Sequence, residues 1–362
     1  MKQKAMPFPL GKMDDFQIYL PPEDLNEESS MRQVHHFNDA NRIFTEGFRL
    51  PEKNSALSVS FVYGHPADYR GKPMLHAGVS EWQTALRHLK AMHIDSVIFQ
   101  SALWRELNEC FYLSKSYSFM KQYPVIEHLL AAAELENIQV YLGGYGSVAG
   151  WAEHFSEEDL QEELAEHRRC LGELKNFSSI AGFYFPCETS YVDRRLPEKE
   201  RRMRILYRNF SDMVKSFTEN LKIIISPATM HRPEHNPGFI EFWNAILADT
   251  GIDIIMPQDC IGNCCSALEE IPLQWQAWKE IAEKNNMKLW SHTELFERRS
   301  FYDTVNLYPA SPRRVAVQLA LTAPFVERHC CWEALYFASA EAGQDGISLQ
   351  NYLQSGKLNF SS

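Results

Sequence analysis

Two apolar stretches of this chain end on a carboxylate. "GFYFPCETS", Gly182 to Ser190, runs through aromatic residues to Pro186 and delivers Glu188, and "KLWSHTELFE", Lys288 to Glu297, delivers Glu294 in the same way. A lone acid at such a position is ordinarily a helix cap or a surface charge. Two of them facing one bond can protonate a leaving oxygen and attack the carbon or activate water, which is the chemistry of glycoside hydrolysis. The pair must then differ in proton affinity, and a carboxyl group beside apolar and aromatic side chains has its affinity raised. Tyr184, Trp290 and Phe296 are the rings near enough in sequence to supply such surroundings.

Whether the two acids share a site depends on the elements that carry them. From about residue 56 onward, short apolar runs alternate with amphipathic ones. The strand candidates are "ALSVSFVYG", "DSVIFQSALW", "QVYLGGYGS", "IAGFYFPCE", "KIIISPAT", "IDIIMPQDCIG", "KLWSHTELFE" and "FVERHCCWEALYF". Helical runs lie between them, with Ser80 expected to cap the first, Ser156 and Asp159 forming a capping box on the third, and Pro197 in the first turn of the fourth. Short strands without clear alternation are those covered on both faces, and strict strand–helix alternation implies a parallel sheet. Eight such units predict a (β/α)₈ TIM barrel with an N-terminal extension. The expected organisation is an extension or cap over 1–55, a catalytic barrel over 56–345 and a C-terminal tail over 346–362. An open doubly wound sheet is disfavoured, because "GGYGSVAG" has its glycines in the wrong place for a dinucleotide fingerprint.

In a barrel the C-terminal strand ends converge on one mouth, so the residues there are the candidate site. In strand order they are Tyr63, Gln100 and Trp104, Tyr145, Glu188, Gln258 and Asp259, His292 and Glu294, and Trp332 and Glu333. Aromatic faces pack on the apolar faces of sugar rings, and amides and acids bond hydroxyls. This inventory, poor in cations, suits a neutral polyol better than a phosphate. Glu188 and Glu294, on the fourth and seventh strands, stand on roughly opposite sides of an eight-stranded barrel and are the catalytic candidates. The others are candidates for substrate binding.

The bulk properties agree. With 362 residues there is ample chain for a large core, and 45% hydrophobic and 23% charged residues are ordinary for a globular protein. A formal net charge of −11 argues against nucleic acid or an anionic membrane as partner. No apolar run is long enough to span a membrane, and the basic N-terminal tip lacks a signal-peptide core, so a cytoplasmic location is expected. The eight cysteines include two adjacent pairs and no regular framework, so reduced core thiols are expected. "CIGNCC" lacks the paired spacing of a structural zinc site, and no metal or other cofactor is expected.

The stretches "IAGFYFPCE", "KIIISPAT", "IDIIMPQDCIG" and "KLWSHTELFE", in that order, resemble the glycosidase-like TIM-barrel family described as domain-of-unknown-function family 4434. The resemblance covers about residues 56 to 340, with "MPQD" and the run from Leu289 to Glu297 its most specific parts. The chain is also similar to the wider clan of retaining barrel glycosidases. That resemblance implies a glycoside or oligosaccharide substrate, Glu188 as acid/base and Glu294 as nucleophile. Cys187 departs from the clan, which carries asparagine there to bind the sugar 2-hydroxyl. Gln258 or Gln100 is then expected to take over that bond. Two alternatives remain open. One is a sugar isomerase or epimerase holding a divalent metal with Glu188, Asp259, His292 and Glu294. The other is a barrel that binds carbohydrate without turning it over.

Overall fold

The computed structural model describes residues 27–52, 55–65, 73–146, 155–191, 197–217, 219–298 and 307–358. Eight parallel strands close into a barrel in sequence order: β1 Val59–Val62, β2 Ser96–Phe99, β3 Gln139–Gly143, β4 Gly182–Tyr184, β5 Lys222–Ile225, β6 Ile254–Ile255, β7 Lys288–Glu294 and β8 Arg328–Trp332. The ring is sealed where β1 pairs with β8, Val59 opposite Cys330 and Ser60 opposite Cys331. This is the (β/α)₈ barrel that the alternation of patterns predicted.

The helices follow the same order. An N-terminal helix, α1, spans Glu27–Gly47, and α2 Val79–Ala91, α3 Val125–Glu136, α4 Glu157–Leu174, α5 Pro197–Lys215, α6 Asn236–Leu247, α7 Ile271–Lys284 and α8 Pro312–Thr322 follow β1 to β7. Helix α4 has the expected box: the Asp159 N–H donates to the Ser156 hydroxyl at 3.1 Å and the Ser156 N–H to the Asp159 carboxylate at 2.7 Å. Ser80 does not cap α2. That helix starts at Val79 with Gly78 in the N-cap position, two residues earlier, and Gly78 presents its N–H to Glu81 at 3.1 Å. The predicted last strand, "FVERHCCWEALYF", is also too long. Glu333 leaves the strand, and its carboxylate accepts from the Tyr336 N–H at 3.2 Å, capping a helical turn, α9 Ala334–Phe337. A final helix, α10 Gly343–Ser355, buries Leu349, Tyr352 and Leu353.

The barrel is filled by side chains that touch across it. Phe61 of β1 stacks on His292 of β7 at 4.8 Å and meets Tyr184 of β4 edge-on at 5.2 Å, and Tyr141 of β3 meets Trp290 of β7 at 6.1 Å. None of these strand pairs are neighbours, so the contacts run through the interior. Strand side chains alternate between faces, so Trp290, His292 and Glu294 rise along one inner face by roughly 6.6 Å per step. Glu294 is the topmost, at the mouth. Trp290 lies two steps below it, with the Arg328 guanidinium 5.0 Å from its ring, and so does not border Glu294 as the sequence suggested.

Prolines end the regular ladder on three adjacent strands. Pro186, Pro227 and Pro257 lack the N–H that the next rung needs. The pairing of β5 with β6 therefore stops at Ile225 opposite Ile255. One further row forms beyond the prolines, linking Ser190, Ala228, Gln258 and His292 by single bridges. It raises the wall on the β4–β7 side and sets Glu188, Asp259 and Glu294 against it.

Candidate active site

Glu188 follows Cys187, itself turned back by an N–H to the Phe185 carbonyl at 2.9 Å. The carboxyl group keeps part of its surface open to the mouth while protein atoms crowd the rest. Burial raises its pKa to about 7, and a hydrogen bond from Gln258 pulls the other way. The same Gln258 amide donates to the Ser226 carbonyl at 3.3 Å, which holds it in the row beside Glu188.

Glu294 is more enclosed, at 5% exposure. Its carboxylate accepts the backbone N–H of Asn263 at 2.7 Å. The turn that offers this N–H passes so close that a Cβ on Gly262 would lie 2.0 Å from the Phe296 carbonyl oxygen and 3.2 Å from the Glu294 Cβ. Only glycine fits that approach. Asp259, fully buried, lies behind Glu294 and accepts from the Ile261 N–H at 3.2 Å, the Gln318 amide at 2.7 Å and, at 3.5 Å, the Glu294 N–H. Burial holds both carboxyl groups above the ordinary carboxylate range, and for Glu294 the charge of Asp259 adds to it. Two buried acids this near each other do not both ionise freely. Arg314 of α8 braces the same place, donating to the carbonyls of Glu294 at 3.2 Å and Phe296 at 2.5 Å.

His292 sits one step below. The Ser226 hydroxyl donates to the Met256 carbonyl at 2.9 Å, so the Nδ1–H of His292 donates to that hydroxyl at 2.8 Å. This fixes the tautomer and leaves Nε2 as a bare acceptor without a partner. Burial lowers the imidazole pKa to about 3, so the ring is neutral.

The wall from β8 round to β2 is aromatic. The Trp332 indole N–H donates to the Tyr63 hydroxyl, which donates to Gln100 Oε1 at 3.4 Å. Tyr63, Gln100 and Trp104 line one small depression with His65 and Phe111. The His65 Nε2 lies 2.7 Å from a Glu109 carboxylate oxygen there. Burial lifts the Tyr63 phenol well above its usual range, and the charges of Glu333 and Glu188 push the same way. On the far side, burial first, then Glu294, and more weakly Glu188 act on the Cys260 thiol in the same direction. Both glutamates are thus within electrostatic reach of one side chain.

Tyr145 is placed elsewhere. Its ring packs edge-on against His167 of α4 at 5.5 Å and its hydroxyl accepts from Arg105 at 3.3 Å. Glu333 is occupied as a helix cap. Among the described residues no group of three or more His, Cys, Asp and Glu side chains is placed to hold a metal. The described cysteines are buried, as core thiols expected from the sequence would be.

Several residues of the site escaped the sequence reading. Asn263 acts through its backbone and leaves no signal in residue type. Gln318 could have been noticed, because it is a polar residue inside the apolar face of "RRVAVQLALT". Arg314 lies on the same helix four residues earlier.

The model of a domain of unknown function, DUF4434, matches residues 72–341. The chain belongs to this family. No curated protein matches its sequence. Among solved structures, it resembles a candidate alpha-L-fucosidase from Bacteroides thetaiotaomicron VPI-5482, with TM-score 0.66 and 17% identity over 85% of this chain and 94% of that one. It also resembles a GH113 beta-1,4-mannanase, with TM-score 0.51 and 12% identity over 84% of this chain and 98% of the other. A third is the PgaB (BpsB) glycoside hydrolase domain from Bordetella bronchiseptica, with TM-score 0.50 and 9% identity over 85% of this chain and all 100% of that domain. At these identities the likeness establishes the barrel fold of the family member. No described helix is long and apolar enough to cross a membrane.

Proposed function

We propose that this DUF4434 barrel is a glycoside hydrolase that uses Glu188 as acid/base and Glu294 as nucleophile, with retention of configuration. The observation that carries the reading is the placement of two carboxyl groups at the ends of β4 and β7, Glu188 with its proton affinity raised by burial as an acid/base needs, and Glu294 with a backbone N–H on its carboxylate. Burial raises the Glu188 pKa to about 7, which suits a group that must give a proton and later take one back. Burial, and after it the charge of Asp259, raises the proton affinity of Glu294 in the free chain. Positive charge growing on the anomeric carbon favours the ionised form, aided by the Asn263 N–H already on its oxygen. Glu294 reacts as its carboxylate, after its proton has passed to solvent: attack on the anomeric carbon forms a glycosyl ester and breaks the bond to the alcohol oxygen, which takes the Glu188 proton. Water then gives its proton to Glu188 and cleaves the ester.

The rest of the mouth fits a sugar. Gln258, bonded to Glu188, supplies the amide that stands in for the asparagine replaced by Cys187. The bare Nε2 of His292 can accept a hydroxyl proton, and Tyr63, Trp104 and Trp332 offer ring faces and edges. The solved barrels that resemble this chain include glycoside hydrolases by name, which supports the class of reaction. The metal-dependent isomerase reading loses ground, because Asp259 is already satisfied by N–H donors.

The test is a panel of nitrophenyl glycosides with the wild-type chain, Glu188→Gln and Glu294→Gln. Release of nitrophenol by the wild type, reduced in both variants by about a thousandfold, is expected. Binding of sugars with no release across the panel would show a carbohydrate-binding barrel instead. Turnover abolished by a chelator and restored by manganese would return the metal reading.

A further inference from the structure

The DUF4434 match begins at residue 72, yet α1, well before it, reaches the site. The geometry points to Asn38 of α1 as a positioning residue for Glu294, one that holds the turn after β6 so that the Asn263 N–H stays on the Glu294 carboxylate. This rests on the reading of Glu294 as a reacting carboxylate.

That turn is built under strain. Cys260 and Cys264 adopt left-handed backbone angles, φ 56° and 61°, in a region unfavourable to residues with a Cβ. Such conformations persist only where the surroundings over-determine them. Helix α1 supplies those surroundings. The Asn38 amide donates to the Arg298 carbonyl at 2.9 Å, and its oxygen accepts from the Cys264 thiol at 3.4 Å. One side chain thereby ties the turn after β6 to the chain leaving β7. Three residues on, along the same helix face, Asn41 Oδ1 accepts the Leu268 N–H at 2.9 Å. Phe37 packs with Cys260, Cys264 and Cys265, and the Arg232 guanidinium stands 5.3 Å over its ring. From the other side the Arg298 N–H donates to the Gly262 carbonyl at 3.0 Å. Asn263 lies between these fastenings.

The charged and titratable groups around Glu294 are Asp259 and the thiols of Cys260, Cys264 and Cys265 from the β6 end, Arg298 from the end of β7 and Arg314 from α8. With these in place, loss of the Asn263 N–H removes a bond that favours the carboxylate. Proton affinity then rises, and the population able to attack falls.

The experiment compares the full chain with Asn38→Leu, which keeps the bulk and removes both bonds, and with Arg42→Ala, an exposed residue of α1 that pairs with Asp39 and Glu46. Hydrogen exchange of peptides covering 260–268 is expected to quicken at least several-fold in Asn38→Leu and not in Arg42→Ala. On a glycoside that the wild type hydrolyses, kcat is expected to fall by roughly 10- to 100-fold with little change in KM, as for a misplaced reacting group. The acidic limb of the pH profile is expected to move to higher pH. A merely structural role would lower the melting temperature and leave that limb in place. Unchanged exchange at 260–268 overturns the proposal, as does a limb that stays fixed. Should Asn38→Leu not fold, Asn41→Ala loosens the same turn at Leu268 and carries the same expectations. If the wild type hydrolyses no glycoside, the hydrolase reading fails by itself, and the exchange measurement still decides the clamp.

Discussion

The two halves of the barrel mouth are built differently. From β4 to β7 the backbone continues past the prolines through the row Ser190, Ala228, Gln258 and His292, and this wall carries Glu188, Asp259 and Glu294. From β8 round to β2 no such row is formed among the described residues. There the wall is side chain, with Trp332, Tyr63 and Gln100 joined edge to edge by hydrogen bonds. A backbone row with buried donors on both sides can hold a carboxyl group at a fixed place and proton affinity. An aromatic edge offers surface and a few polar tips, which suits holding a ring rather than changing a bond. On the proposed reading the first half carries the chemistry, with Gln258 and His292 bonding hydroxyls beside it, and the second half supplies ring surface.

The largest expected effects come from the first half. Glu188→Gln and Glu294→Gln should each lower kcat/KM by about a thousandfold, while circular dichroism stays that of the wild type. If either variant retained wild-type turnover, the division between the halves would fail. In the second half Trp332→Ala should act mainly through packing, because Trp332 contacts Phe296 at 5.2 Å and Phe337 at 5.7 Å and is 8% exposed. A loss of about 3 kcal/mol in denaturant unfolding is expected. Trp104→Ala, at a half-buried position on the small depression, should raise KM a few-fold with stability unchanged. Tyr145→Phe should leave kinetics as they were, since that hydroxyl serves Arg105 on the outer side. A changed kcat there would bring Tyr145 back to the mouth.

The acidic wall also sets how stability depends on pH. Glu188, Asp259 and Glu294 all have native proton affinities raised above those of the unfolded chain. The native state therefore binds more protons than the unfolded state above the ordinary carboxylate range. Their contribution is fully present below that range and is lost as pH rises, through about 7 for Glu188. Melting temperature should fall between about pH 5 and pH 8, and Glu294→Gln should flatten that fall. A melting temperature rising across this interval would show that these carboxyl groups are not held as described.

The sequence made the barrel legible because each strand is a short apolar run and each helix an amphipathic one, and eight repeats of that contrast survive small errors at the ends. Those errors have a physical source. "IDIIMPQDCIG" reads as one strand, but Pro257 ends the ladder after Ile255. "FVERHCCWEALYF" reads as one strand, but Glu333 turns its carboxylate onto a helical turn. The two glutamates stood out because an acid at the end of an apolar run is a local contradiction in composition. Tyr145 carries the same mark as Tyr63, and its strand position gives no hint that its ring turns to α4. The donors that set Glu294 were invisible for another reason. Asn263 acts through backbone, and Asn38 lies more than two hundred residues away, on a helix whose sequence looks like a polar lead-in.

The most direct test of the central claim is the anomeric configuration of the first sugar released from a glycoside that the wild type hydrolyses, followed by proton NMR before mutarotation. Retained configuration is the predicted result, since two successive displacements at Glu294 restore the starting geometry. Inverted configuration would mean that water attacks directly, and Glu294 would lose its assignment as nucleophile.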